Sequence, residues 1–313
     1  MPDESYDTCI LVSSEQGGRV VTMFKKISLM AVLLSLILTV SFAESVNVDK
    51  KEKQKISKGS RCGVRYGSFS IPVEDGFSLQ SEAMTQIDTK QPSVILMHEE
   101  KKKAGMFSWN SDFRRKLFQS GMNIFSYDAR GHGLNVKGTP LIKNNKIVGY
   151  VNDYKVTWES FSSEGENNHW NKMTGDLETF MKVFDKNDYH KPGEYMIIGA
   201  GIGADIALKY AAEDKSIKGL ILLSPHLEKF GVETLSAAKK WDGRPCLLIY
   251  SFGDEESRKS CEKLYEIMSS NAGDKKDNIE LEIPQGSAYG MAMIDENLTE
   301  VILGWIKNNV FKE

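Results

Sequence analysis

Histidine, cysteine and net charge are all scarce in this chain, and each scarcity excludes something. The 313 residues hold five histidines: His98, His132, His169, His190 and His226. None stands in a cysteine/histidine spacing that resembles a metal site, and no cofactor is implied. Net charge is −3, so no global excess of positive charge points to nucleic acid or to an anionic membrane surface. No internal repeat and no low-complexity block interrupts the chain. Beyond residue 43 only Cys62, Cys246 and Cys261 occur, an odd number that leaves a thiol free or intermolecular in an oxidising compartment. Cys246 stands in an apolar run and is expected to be a buried thiol. An apolar content of 41% with 27% charged residues is ordinary for a globular protein, and the length allows one large α/β domain or two small ones.

What is present begins near the N-terminus. Met23-Phe24-Lys25-Lys26 is a short basic start, Ile27 to Leu38 is apolar apart from two serines, and Ser41-Phe42-Ala43 has the small-x-small form of a cleavage site. That order predicts a secretory signal peptide cut after Ala43, with Met23 as the natural start and a secreted or periplasmic product. The competing reading is an uncleaved membrane anchor, for which the apolar run is short, since a span takes about 20 residues. Residues 44–60 are charged and aperiodic, as in a linker, and one domain over 61–313 accounts for the rest.

From about residue 64 the pattern is regular. Ser68–Val73 and Phe77–Met84 flank Asp75-Gly76 as a hairpin. Short apolar runs at Ser93–Met97, Met122–Ser126, Tyr195–Ile198, Ile217–Leu223, Cys246–Tyr250 and Ile279–Ile283 read as strands, the central ones buried on both faces. Helices are expected near Trp109–Gln119, Trp170–Phe184, Ile202–Ala212, Val232–Lys240, Glu256–Met268 and Leu298–Val310. This alternation predicts an α/β fold: a mostly parallel twisted sheet, helices on both faces, and an N-terminal antiparallel hairpin. Residues 134–169, rich in aromatics, are too long for a simple connection and are expected to form a cap insertion or a surface decoration.

Several segments then fall into a known order. Tyr127-Asp128-Ala129-Arg130-Gly131-His132-Gly133 ends in D-x-R-G-H-G. Ile95-Leu96-Met97-His98-Glu99 ends a strand in a histidine turn. Ile198-Gly199-Ala200-Gly201-Ile202-Gly203-Ala204 joins a strand to a helix, and Leu222-Leu223-Ser224-Pro225 and Ser251-Phe252-Gly253-Asp254 follow. Over residues 64–313 the chain resembles the α/β-hydrolase superfamily. The resemblance implies a nucleophile elbow, G-x-S-x-G, with an acid and a histidine after it.

Here the chemistry departs from the family. The serine position is Gly201, and no G-x-S-x-G occurs elsewhere. The histidine position falls in Gly286-Ser287-Ala288-Tyr289-Gly290 and is Tyr289; no histidine lies beyond Asp254, which alone keeps its residue type. Asp254 reads equally as the acid or as a helix cap. Glycine suits an elbow whose backbone is strained for residues with a Cβ. Glu99 stands where glycine is usual in the oxyanion turn, so His98, Glu99 and Ile202 are the expected pocket residues. The reading that follows is a non-catalytic binding or scaffold protein, its small-molecule or protein partner unknown. The alternative is an esterase-like hydrolase with relocated groups, for which Ser224 with His226, or Ser287, would serve. A lesser alternative is dinucleotide binding, because Gly199-Ala200-Gly201-Ile202-Gly203-Ala204 also satisfies G-x-G-x-x-A; no acidic residue ends the next strand.

Overall fold

The computed structural model describes residues 64–86, 91–101, 104–135, 137–143, 146–185 and 190–311. The expected signal segment, the charged stretch 44–60 and Cys62 lie outside the described residues. Strands are β1 (Val64–Pro72), β2 (Ser78–Gln86), β3 (Gln91–Met97), β4 (Asn123–Tyr127), β5 (Lys137–Lys143), β6 (Lys146–Val156), β7 (His190–Ala200), β8 (Ile217–Leu223), β9 (Glu228–Lys229), β10 (Val232–Glu233), β11 (Cys246–Ile249) and β12 (Ile279–Glu282). Helices are α1 (Ser111–Gln119), α2 (His169–Phe184), α3 (Ile202–Glu213), α4 (Leu235–Lys239), α5 (Glu255–Ala272) and α6 (Glu296–Asn309).

Eight strands form one sheet in the order β1-β2-β4-β3-β7-β8-β11-β12. β2 runs antiparallel to both β1 and β4, and the other neighbours are parallel. The central strands carry unbroken apolar runs, such as Val94–Met97 and Leu220–Leu223, because both faces are covered. Ile95, Ile197, Leu220, Leu222, Cys246 and Leu248 point to a core shared with α2, α3, α4 and α5. Their neighbours Val94, Leu96, Met196, Ile198, Ile221, Leu223, Leu247 and Ile249 point to a second core shared with α1 and α6. A period of two between two apolar layers yields an unbroken apolar run in sequence. Cys246 and Cys261 are buried free thiols in the first of these cores.

One region departs from the sequence expectation. The helix expected over Val232–Lys240 is a two-residue strand followed by the single turn of α4; β10 instead pairs with β9. Within 134–169, β5 and β6 form an antiparallel hairpin, but the return segment is not a free flap. Trp158 stacks on His132 with ring centroids 5.6 Å apart, and its amide donates to Gly131 O at 3.1 Å. Phe161 packs edge-on against Phe77 and Trp170. A Cβ on Gly131 would stand 2.6 Å from both Phe161 Cζ and Trp158 N, so this glycine is required by close approach. The D-x-R-G-H-G segment therefore has a structural role. Asp128 accepts from Met106 N and Leu134 N, both at 2.7 Å, which ties the loops after β3 and β4 together. Arg130, 1% exposed, makes a two-pronged contact with Asp176 at 2.7 and 2.5 Å.

Candidate functional site

The C-terminal ends of β3, β7 and β8 open onto one spot, where parallel α/β sheets bind ligands. Between β7 and α3 the chain turns through Gly201, with φ 53° and ψ −125°. That conformation strains any residue with a Cβ. It is held by Gly201 N donating to Leu223 O at 2.9 Å and by Ala204 N donating to Gly201 O at 2.9 Å. The flanking glycines let strand and helix touch: a Cβ on Gly203 would stand 2.5 Å from Met97 O, and one on Gly199 2.5 Å from Gly203 O. The backbone of a nucleophile elbow is present; the side chain is not.

Other residues fill the space a nucleophile would take. A Cβ on Gly201 would stand 2.5 Å from Glu100 Oε2, 2.7 Å from Tyr289 Oη and 3.1 Å from Glu99 Cβ. Glu100 Oε2 accepts from Ile202 N at 3.1 Å. The amide after an elbow residue is the one that binds an acyl oxyanion in catalysis; here it holds the protein's own carboxylate. The sequence assigned this position to Glu99. Glu100 takes it instead, and the Glu99 carboxylate turns the other way to accept from Met291 N at 2.9 Å.

Glu100 belongs to a closed polar cluster. Lys229 Nζ lies 2.6 Å from Glu100 Oε1, 3.1 Å from His226 Nε2 and 3.3 Å from Tyr289 Oη. Tyr289 Oη donates to Glu100 Oε1 at 2.9 Å and lies 3.1 Å from His226 Nε2. His226 Nδ1 faces Asp205 Oδ2 at 2.8 Å, and His226 N donates to Asp205 Oδ1 at 2.7 Å. One assignment satisfies every group: Lys229 donates to three acceptors, Tyr289 donates to Glu100, and His226 carries its proton on Nδ1 toward Asp205. The free lone pair of the imidazole is then engaged by an ammonium. Burial opposes ionisation of Glu100, but the Lys229 ammonium and the Ile202 amide outweigh it and hold the carboxyl down to about 2. Burial, and then the Glu100 charge, push the Tyr289 phenol far above its ordinary range, which removes it as a base or nucleophile near neutral pH.

The remaining expected residues separate. Asp254 accepts from Ser257 N at 3.1 Å as the N-cap of α5, and its Oδ2 is buried without a partner; among the described hydrogen bonds none joins it to Tyr289. The loop carrying Tyr289 does pass beside it, since a Cβ on Gly253 would stand 2.9 Å from Gly286 O. His98, Glu99 and Ile202 do not share a pocket. His98 and Ile202 line a core void of about 10 Å³, while Glu99 lies at an open cleft of about 450 Å³. His98 accepts from Ala129 N at 2.9 Å and pairs with Glu99 O at 2.8 Å, so both ring nitrogens are occupied by backbone. Ser224, at φ 51° and fully buried, accepts from Gly290 N at 3.0 Å rather than meeting His226. Sequence reasoning missed Asp205, Lys229 and the role of Glu100. Asp205 alone left a signal, as an acid set among the apolar residues that open α3.

Comparison with known proteins agrees with this fold. A family model described as serine aminopeptidase, S33, matches residues 90–244, ending before Asp254 and Tyr289. The sequence has no significant match among curated proteins. Similar solved structures include a Pyrococcus furiosus esterase (TM-score 0.57, 16% identity, 79% of this chain and 92% of that one). An acetyl xylan esterase from a Paenibacillus species gives TM-score 0.58 at 12% identity, covering 82% of this chain and 87% of that one. A cold-adapted esterase from an Arctic intertidal metagenomic library gives 0.56 at 14%, covering 80% and 97%. At such identities the likeness is one of fold. By its sheet order, its elbow backbone and these matches, the chain has the α/β-hydrolase fold.

Proposed function

We propose that this chain is a non-catalytic α/β-hydrolase-fold protein that works by binding a small molecule or a protein. The observation that carries the reading is the occupied elbow: Gly201 offers no nucleophile, and Glu100 sits on the Ile202 amide where an acyl oxygen would be stabilised. A substrate carbonyl there would meet a carboxylate rather than a hydrogen-bond donor. Secretion belongs to the same proposal, on the strength of Met23-Phe24-Lys25-Lys26 and Ser41-Phe42-Ala43; N-terminal sequencing of protein from its host tests it, and an intact segment before Glu44 counts against it.

The expected result is no labelling by a fluorophosphonate probe, which needs an activated serine, and no hydrolysis of short-chain nitrophenyl esters above background. An alternative, hydrolysis through relocated groups, draws on the Asp205–His226 pair, an oriented imidazole at 2.8 Å. Stoichiometric labelling mapped to Ser224 or Ser287 would favour that alternative and sink the non-catalytic reading. Dinucleotide binding gains nothing from the geometry, because Glu100 holds the first amide of α3, where a pyrophosphate would sit.

A further inference from the structure

Beside the filled elbow lies the cleft of about 450 Å³, lined by Glu99, Lys101, Ala104, Asn110, Met291 and Ile294 among others. Its buried charge is the Glu99 carboxylate, only 4% exposed. Glu99 reaches this place because Gly290, at φ +59°, has no Cβ; one added there would overlap Glu99 Oε2. Burial raises the Glu99 carboxyl, against the pull of Met291 N and Lys101. Among the described residues one cation serves it: Lys101 Nζ stands 3.0 Å from Glu99 Oε1, 3.4 Å from Tyr289 O and 4.5 Å from the centroid of the Tyr289 ring. A buried carboxylate, a carbonyl and an aromatic face thus converge on a single ammonium, the arrangement used to recognise cations. The ammonium comes from a side chain that is 48% exposed and belongs to the cleft's own rim.

We propose that this cleft binds a small organic cation, a primary alkylammonium whose head takes the place of Lys101 Nζ between Glu99 and Tyr289. The chain of the ligand lies along Ala104, Met291 and Ile294. The exchange replaces like with like, so the electrostatics of Glu99 are preserved. Lys101, already half in water, returns its head to solvent while the ligand keeps the buried Glu99 paired. An anionic ligand drawn to Lys101 would instead meet Glu99 at its back. Ala104, Met291, Ala292 and Ile294 give the cleft an apolar side, and Glu99 gives it one buried charge. The proposal rests on the binding reading above and names the ligand class.

The test is titration of hexylammonium into the wild type, Lys101→Ala and Glu99→Gln, followed by calorimetry, with hexanoate and hexanol in parallel. Lys101→Ala removes the internal competitor and is expected to bind hexylammonium about fivefold more tightly, the scale of a partly exposed ion pair. Glu99→Gln keeps an acceptor for Met291 N but loses the charge, and is expected to abolish binding while hexanol and hexanoate stay silent. Equal affinity in wild type and Lys101→Ala, no binding in either, or preference for hexanoate each overturns the proposal. The Lys101→Ala arm removes an exposed side chain and stands without the other variant. Fluorophosphonate labelling reads the elbow and not this cleft, so a failed cation site and a failed non-catalytic reading give different results.

Discussion

Gly201→Ser is expected to destabilise the protein and to restore no activity. The added Cβ meets two obstacles. The backbone at φ 53° penalises any side chain, at about 1–3 kcal/mol. The space is also taken, with Glu100 Oε2 at 2.5 Å and Tyr289 Oη at 2.7 Å. Moving Glu100 aside parts it from the Ile202 amide and from Lys229, which leaves a mostly buried carboxylate badly paired. Breaking a buried ion pair costs about 3–5 kcal/mol, and with Lys229 partly exposed the combined loss should be about 2–5 kcal/mol. Gly201→Ala should cost nearly as much, because both obstacles act at Cβ. An ordinary helical glycine predicts the opposite sign, with alanine better by about 0.5–1 kcal/mol. Urea denaturation separates the two, and a stabilised Gly201→Ala would remove the elbow assignment. A double-mutant cycle apportions the penalty: in a Glu100→Ala background the clash with Glu100 is relieved, and the backbone part and the close contact with Tyr289 should remain. Adding Tyr289→His to Gly201→Ser still leaves Glu100 on the oxyanion amide, so at most weak ester hydrolysis is expected from that pair.

The sheet was legible because its central strands carry unbroken apolar runs, as in Leu220–Leu223, and its connections carry glycines where backbones touch. Gly201 was legible for the same reason, since an elbow leaves its glycine pattern even when the serine is gone. The occupant of the elbow was not. Glu99 and Glu100 are adjacent acids in one loop, and the rotation of a single peptide decides which faces Ile202; nothing in the pattern of polar and apolar residues encodes it. Lys229 arrives from β9, about 130 residues along the chain from Glu100, with no periodic signal. Tyr289 read as the loss of a base, and only the assembled cluster shows it as a donor to Glu100. Asp254 had two readings, and its hydrogen bond to Ser257 N is that of a helix cap. The relation between fold and chemistry is therefore asymmetric: strands and turns follow from local pattern, whereas a side chain filling a lost active site depends on distant residues meeting.

The second large effect is acid destabilisation through His98 and His132, which lie beneath this site with ring centroids 5.0 Å apart. Both are 2% exposed. Burial lowers His98 to about 4; burial, then the neighbouring His98, lower His132 to about 4. Unfolded histidines titrate near 6.5. As pH falls below that value the unfolded chain gains protons that the folded protein refuses, so stability is lost on acidification and the loss is complete only below about 4. About 2 kcal/mol per histidine should be gone by pH 5, rising to about 3 kcal/mol below pH 4. Glu100, held down to about 2, adds a loss of the same sign at still lower pH. The carboxyls of Glu99, Asp128, Asp176 and Asp205 are raised by burial and act oppositely, since protonation relieves them. The comparison that isolates the histidines is therefore wild type against His98→Gln/His132→Gln, each measured by urea denaturation from pH 7 to 4. The double variant is less stable at pH 7, having lost the imidazole placed to accept from the Ala129 amide and the stack on Trp158. Its deficit should shrink by several kcal/mol as pH falls, the difference curve bending between 6.5 and 4. A difference that stays constant with pH would show that these two imidazoles accept protons freely in the folded state.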